Sequence, residues 1–163
     1  MIDPSVFRQA LGHFATGVTV VTTRTAMGEP IGVTASSFNS VSLDPPLVLW
    51  SIGRKAFSYP AFATAEHFAV HVLGDGHADW SNRFGRASGA KFEGLDYGEG
   101  LGAVPLLVGC PARFECRVEH RYEGGDHLIM VGRVLRLEQG GDEARPLLFH
   151  RGRYAGLGIP SAE

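Results

Sequence analysis

The chain of 163 residues lacks the features that mark secreted, membrane-spanning or nucleic-acid-binding proteins. Its net charge of −2 predicts no basic surface for nucleic acid. No apolar run approaches the roughly 20 residues that a membrane helix needs. The first residues, MIDPSVFRQALGHF, lack the basic start and apolar core of a secretion signal, so we expect a cytoplasmic protein. The composition, 44% hydrophobic and 20% charged, is typical of a globular protein, and we expect one domain over residues 1–163.

The few cysteines and the histidines do not predict a disulfide or a metal site. An extended segment would separate Cys110 and Cys116 by roughly 20 Å, whereas a disulfide needs Cα atoms within about 7 Å, so we expect free thiols in a reducing compartment. His67 and His71 have the i, i+4 spacing that chelates a metal on a helix. The surrounding HFAVHVL instead predicts a strand, which puts the two rings about 13 Å apart. We therefore expect no metal.

Three nucleotide and hydrolase motifs are also missing. The sequence has no G-x-G-x-x-G, no G-x-x-x-x-G-K-[ST] and no G-x-S-x-G. A Rossmann site, a P-loop and a nucleophile elbow are therefore not supported.

The chain does carry many short β-branched and alternating segments. From Phe114 to Tyr122, apolar or neutral residues alternate with charged ones, which predicts an antiparallel strand with one dry face. EGGD then predicts a hairpin turn before a second long strand, DHLIMVGRVLRLE. Asp3-Pro4 predicts the start of a helix that Gly17 ends, and its apolar face is formed by Val6, Phe7, Ala10, Leu11 and Phe14. Six to eight strands with about three short helices favour a mainly β, antiparallel barrel.

The segment GVTASSFNSVSLDPPLVLWSIGRKA, from Gly32 to Ala56, has unusual chemistry for two strands. TASSFNS puts small hydroxyls where a planar ring can approach the backbone. SIGRKAFSYP puts Arg54, Lys55 and a candidate helix cap, Ser58, where a phosphate can bind. Together they predict a nucleotide-like cofactor across the barrel. From the residues alone, surface serines and a solvated Arg-Lys turn are an equally good interpretation.

The ordered set FATGVTVVTT, GVTASSFNSVSLDPPLVLWSI, RKAFSY, NRFG, GDHLIMVGRV and PLLFHRGRYAGL resembles the short-chain flavin reductases, the reductase components of two-component flavin-dependent monooxygenases. The resemblance runs from about Phe7 to Leu157. It implies an antiparallel split β-barrel with a few short helices, usually a homodimer, that uses NADH or NADPH to reduce FMN or FAD. A separate oxygenase would receive the reduced flavin.

The resemblance also implies roles for individual residues. The ring and ribityl contacts would be Thr34, Ala35, Ser36, Ser37, Asn39 and Ser40. The phosphate end would be held by Ser51, Arg54, Lys55 and Ser58, with Phe84 and Lys91 as further flavin contacts. The nicotinamide nucleotide would be bound by His127, His150, Arg151 and Tyr154. Among these, His127 is the candidate catalytic residue, in a positioning role rather than as an acid or base.

The mechanism implied by the resemblance asks little of side chains. Hydride passes from the nicotinamide to flavin N5, and backbone amides of residues 34–37 would stabilise the negative charge that develops on the ring. Two other functions stay open at this point. The same type of barrel can bind flavin or haem without turnover, and a related enzyme class oxidises a pyridoxamine phosphate.

Overall fold

The computed structural model describes residues 1–158 of the chain. The α-helices are α1 (Pro4–Leu11), α2 (Tyr59–Thr64) and α3 (Ala78–Phe84). The strands are β1 (Thr16–Gly17), β2 (Thr19–Arg24), β3 (Pro30–Ala35), β4 (Asn39–Leu43), β5 (Pro46–Gly53), β6 (His67–Val72), β7 (Tyr97–Glu99), β8 (Pro105–Leu107), β9 (Ala112–Gly124), β10 (His127–Gln139), β11 (Leu148–His150) and β12 (Arg153–Ala155). Short 3-10 turns lie at Asp75–His77 and Leu101–Ala103. The predicted mainly β class with a few short helices is confirmed, while the extent of the single domain stays a prediction, because residues 159–163 lie outside the described part.

The central feature is a seven-stranded sheet in the order β3-β2-β6-β9-β10-β5-β4. All of its pairings are antiparallel. Its ends in this order, β3 and β4, are consecutive in the chain and are joined by residues 36–38. The hydroxyl-rich segment identified in the sequence is therefore the connection between the sheet's two edge strands.

Apolar side chains from both faces of this sheet form separate clusters. One cluster contains Trp50, Phe62, Phe68 and Met130, with the Trp50 ring packed edge-on against Phe62 at 4.8 Å between centroids. The other lies between the sheet and α3 and contains Val18, Val20, Leu73, Phe84, Phe92, Leu107 and Leu147. Burial on both faces explains why β2, TVVTTR, reads as a continuous β-branched run rather than an alternating one.

Three details differ from the sequence prediction. β3 ends at Ala35, so Ser36 and Ser37 are loop residues rather than strand residues. The first helix ends at Leu11, before Gly17. The face of β9 that holds Glu115 is not simply charged and solvated, because Glu115 is buried and accepts a hydrogen bond from the Leu101 backbone N–H at 2.9 Å.

The structure also places the cysteines and histidines. Cys110 and Cys116 are free thiols, and burial raises the pKa of each to about 12. His67 and His71 lie on one strand, β6, as predicted. In residues 1–158, no cluster of three or more metal-ligating side chains is found. No helix in the same range is long and apolar enough to cross a membrane.

Candidate functional site

A cavity of about 370 Å³ lies between β3, α3 and the β11–β12 hairpin. Its lining residues are Val18, Thr34, Ser36, Ser81, Asn82, Gly85, Arg86, Phe149 and Tyr154. Phe149 and Tyr154 are cross-strand partners, and their rings lie 5.8 Å apart in a tilted arrangement. The cavity thus combines an aromatic wall with small polar residues beside it. This combination suits a planar ring with polar edges.

A hydrogen-bond network ties the walls of this cavity together. The Thr34 hydroxyl donates to the Ser81 carbonyl at 2.6 Å, which joins β3 to α3. The hydroxyls of Ser81 and Tyr154 lie 2.6 Å apart, and the Tyr154 hydroxyl donates to Asn82 Oδ1 at 2.9 Å. The C-terminal hairpin is therefore held against α3 by side-chain bonds alone at this point.

Beyond Ser36 the hydroxyl-rich loop reaches the adjacent strand. The Ser37 hydroxyl accepts a hydrogen bond from the Ser51 N–H at 2.9 Å and lies 3.3 Å from the Ser51 carbonyl, to which it donates. Ser36 is exposed, whereas the side chain of Ala35 packs in the core and its carbonyl accepts from Thr19 at 2.7 Å. The structure thus brings the backbone of residues 35–37 and Ser51 to one edge.

Asn39 and Ser40 continue this edge into β4. Both residues are exposed, and Asn39 Oδ1 accepts a hydrogen bond from the Ser40 N–H at 2.9 Å. Their proposed flavin contacts stay predictions.

The predicted phosphate end is less open than its sequence suggests. The Arg54 guanidinium forms an ion pair with Glu123 and donates to the Tyr59 hydroxyl at 3.0 Å. Ser58 precedes α2 but makes no side-chain capping bond and is only 3% exposed. Lys55 is exposed and forms no ion pair within residues 1–158. Of these three residues, Lys55 is the one whose charge is available to a ligand.

Phe84 and Lys91 are interior residues. Phe84 is fully buried and packs edge-on against Phe92 at 5.1 Å. Lys91 is 6% exposed, and its ammonium donates to the carbonyls of Gly32 and Phe84, at 3.0 and 2.9 Å. Burial lowers the pKa of this ammonium. Both residues therefore stabilise β3 and α3 from the interior of the protein. A direct flavin contact by either one stays a prediction.

His127 is the first residue of β10, the strand that pairs with the Ser51-bearing strand β5. Its Nδ1 lies 2.7 Å from Asp126 Oδ1, and the bond to His127 is the main cause of the lowered pKa of Asp126. His127 is opposite Gly53 in register, and a Cβ at Gly53 would lie 3.7 Å from His127 Nε2. Because residues i and i+2 share a strand face, His127 and Ser51 lie on the same face, about 7 Å apart along the strand.

His150 and Arg151, the remaining candidates for nucleotide binding, lie at the turn of the β11–β12 hairpin. Arg151 is at the turn with φ of 50°, and its N–H donates to the Gly12 carbonyl at 3.0 Å. It lines a second cleft, of about 660 Å³, together with residues of α1 and the turn after it, including Arg8 and His13. His150 is exposed and pairs with Arg153. The structure thus groups Tyr154 with Thr34 and Ser36, and Arg151 with the first helix.

Sequence reasoning missed several residues of the first cavity, namely Val18, Ser81, Asn82, Gly85, Arg86 and Phe149. Asn82, Gly85 and Phe149 stand in the quoted segments NRFG and PLLFHRGRYAGL, but only neighbouring residues received a role. The available signal was the spacing of Gly85, three residues after Asn82 and four after Ser81, which places all three on one side of a short helix and its C-cap.

The chain is similar in sequence to proteins of one known family. Residues 11–158 match the family model described as flavin reductase like domain. The FMN reductase (NADH) SmoA of Agrobacterium fabrum is 50% identical over 149 residues, which cover 91% of this chain and 83% of that protein. The reductase subunit HsaB of a flavin-dependent monooxygenase from Rhodococcus jostii is 41% identical over 156 residues, which cover 96% of this chain and 79% of that protein.

The fold is matched by solved structures as well. The NADH:FAD oxidoreductase SgcE6 of Streptomyces globisporus, in complex with NAD and FAD fragments, superposes with a TM-score of 0.89 at 37% identity. The match covers 100% of this chain and 99% of that one. Two further relatives, from Rhizobium meliloti, are longer, and the chain spans 49% and 66% of their lengths.

Proposed function

Because the chain belongs to the flavin reductase-like domain family, we propose that it uses NADH or NADPH to reduce FMN or FAD and releases the reduced flavin to a separate oxygenase. The observation that carries this proposal is the polar edge formed by Thr34, Ser36, Ser37 and Ser51 beside the aromatic wall of Phe149 and Tyr154. Relatives named as FMN reductase (NADH) and as a monooxygenase reductase subunit support the reaction and the oxygenase partner.

The residues present fit a flavin. The exposed loop at Ser36 and Ser37 offers backbone and hydroxyl groups to the polar edge of an isoalloxazine ring, and the exposed Lys55 offers a cation to its phosphate. Bound flavin and NAD(P)H supply the hydride chemistry themselves. The protein's part is to hold the two rings in contact and to place fixed N–H dipoles beside the ring edge that gains negative charge.

His127 would then position the nicotinamide. Its Nδ1 is held by Asp126, and its ring lies beside Gly53, its partner in the strand register. The ring lies on the same strand face as Ser51, within the reach of a ligand bound along the polar edge. His127→Ala is expected to raise the KM for NADH or to slow flavin reduction, and to leave the Kd for flavin nearly unchanged.

We also propose that the protein is a homodimer. α1 buries none of its residues, and its apolar side chains Val6, Phe7 and Leu11 are 58%, 54% and 57% exposed. Phe14, just beyond the helix, is 78% exposed. Apolar side chains grouped in this way are typical of a protein–protein contact, and a symmetric dimer is the commonest way to cover them. Phe7→Glu should shift the species measured by light scattering from dimer to monomer, whereas a fully active wild-type monomer would contradict the proposal.

A cytoplasmic location stays a prediction. It agrees with two free thiols and with a reaction that draws on NADH or NADPH, and fractionation of the native host would test it.

The enzyme reading is tested by NADH and NADPH oxidation in the presence of FMN, FAD and riboflavin in turn. We expect oxidation that depends on added flavin. Tight flavin binding without nucleotide oxidation would instead favour a binding module that does not turn over.

A further inference from the structure

The carboxamide of Asn82 is a polar group of the first cavity that is oriented by a hydrogen bond from a neighbouring side chain. Asn82 Oδ1 accepts a hydrogen bond from the Tyr154 hydroxyl at 2.9 Å. That hydroxyl lies 2.6 Å from Ser81 Oγ, and Ser81 is itself 3% exposed. Tyr154 donates its single hydroxyl proton to Asn82, so the Ser81 hydroxyl is the donor to Tyr154. The two bonds then run in one direction, from Ser81 to Tyr154 to Asn82, and each polarises the next.

This alignment leaves the other end of the carboxamide available. An asparagine carboxamide has one acceptor oxygen and one NH₂ group with two donors. The oxygen is used by Tyr154, and within residues 1–158 the NH₂ group makes no protein hydrogen bond. Asn82 itself is exposed and lines the cavity.

We propose that Asn82 is a specificity-determining residue of this site, and that its NH₂ group donates a hydrogen bond to an amide-type carbonyl on the planar ring bound in the cavity. Tyr154 and Ser81 are positioning residues, because they hold the Asn82 oxygen and thereby turn its donors toward the ligand. Two rings carry such a carbonyl, the pyrimidine part of the isoalloxazine and the carboxamide-substituted nicotinamide. The inference rests on the proposed function for the identity of these rings.

The arrangement changes the role of Tyr154. Its hydroxyl proton is directed to Asn82 and its oxygen faces Ser81, so the hydroxyl is satisfied without a ligand. Tyr154 then contributes its ring to the aromatic wall with Phe149, and acts on the polar part of a ligand through Asn82. Because the hairpin and α3 are joined by these bonds, docking of the C-terminal hairpin is what orients the donor.

The test is the isosteric variant Asn82→Asp. The carboxylate still accepts from Tyr154, but it presents an anionic acceptor where the wild-type protein presents a donor, so a ligand carbonyl is repelled. The matched control is Gln139→Glu, the same change from carboxamide to carboxylate on an exposed residue at the end of β10. Flavin Kd is measured by fluorescence quenching and the KM for NADH by steady-state oxidation, with the melting temperature of each variant recorded.

We expect Asn82→Asp to weaken one ligand by about tenfold or more, with the melting temperature kept and the control unchanged. Weaker flavin binding identifies the isoalloxazine carbonyl, and a raised KM for NADH with flavin Kd unchanged identifies the nicotinamide carboxamide. Tyr154→Phe should weaken the same ligand by a smaller factor, and should have almost no further effect in the Asn82→Asp background, because its action passes through Asn82.

Unchanged affinity for both ligands in Asn82→Asp, in a protein that does reduce flavin, would overturn the inference and leave the proposed function intact. If the double variant weakens the ligand by the product of the factors found for Asn82→Asp and Tyr154→Phe alone, the positioning role of Tyr154 is overturned. If the wild-type protein binds flavin without oxidising NADH and Asn82→Asp weakens that binding, the proposed function fails and the inference stands. A wild-type protein that binds neither ligand would overturn both.

Discussion

His71 is expected to make the fold sensitive to acid. The ring is fully buried, with Nδ1 3.0 Å from the Val20 carbonyl and Nε2 accepting from the Leu107 N–H at 3.0 Å. These partners fix the neutral tautomer with the proton on Nδ1, since Nε2 must stay free to accept. Burial, aided by the positive charge of Arg113, lowers the pKa from 6.5 to about 4, against the opposing effect of the bond to Val20.

The lowered pKa sets the sign and size of the effect. The unfolded chain binds a proton at His71 below about pH 6.5 and the folded chain only below about pH 4, so the unfolded state takes up more protons in this window. The free energy of unfolding therefore falls as pH decreases through it. At about 1.4 kcal/mol per pH unit, the loss is about 2 kcal/mol between pH 7 and pH 5 and about 3 kcal/mol by pH 4.

The assay is urea unfolding followed by circular dichroism at pH 7, 6 and 5. His71→Gln keeps one donor and one acceptor but does not titrate, so its free energy of unfolding should fall about 2 kcal/mol less than that of the wild-type protein over this range. His120→Gln, on an exposed part of β9, is the matched control and should behave like the wild type. Equal pH dependence in the wild-type protein and His71→Gln would refute the argument, since the buried ring would then not be the group that titrates.

Three further changes test other parts of the structure. Lys91→Met should lower the free energy of unfolding by about 2–5 kcal/mol in chemical denaturation, because two buried carbonyls lose their donor. Gly132→Ala should destabilise by about 1–3 kcal/mol, since the new Cβ would overlap the Phe68 ring. In the control Gly98→Ala the new Cβ meets nothing within 4 Å, and equal melting temperatures of the two variants would contradict the close packing. Lys55→Ala should weaken FMN and FAD binding by about tenfold and spare riboflavin, which has no phosphate; equal weakening of all three would place the lysine elsewhere.

Local patterns predicted most of the secondary structure. Alternation and β-branched runs indicated the long hairpin of β9 and β10, and the Asp3-Pro4 pair indicated the start of α1, where Asp3 Oδ1 accepts from the Ser5 N–H at 2.7 Å. These features depend on residues that are close together in the chain, so local sequence patterns are enough to predict them. The burial of hydroxyl residues was not predictable in this way, since Ser36 and Ser37 are exposed whereas Ser58 and Ser81 are each 3% exposed.

Contacts between distant segments were not predictable in the same way. Asn82 and Tyr154 are 72 residues apart, and their bond exists only because the β11–β12 hairpin docks on α3. The ion pair that occupies Arg54 comes from Glu123 across the sheet, and no local pattern indicates it. Lys91 was assigned as a flavin contact, and no local pattern indicates its bonds to two interior carbonyls. In each case the side chain's role depends on which strand or helix becomes its neighbour.

Anaerobic mixing of the purified protein with one equivalent each of oxidised flavin and NADH tests the central claim most directly. The account predicts that flavin absorbance bleaches at a rate that depends on the protein, and that the reduced flavin then passes through an ultrafiltration membrane that retains the protein. Bleaching no faster than in buffer, with FMN, FAD and riboflavin and with NADH and NADPH alike, would contradict it.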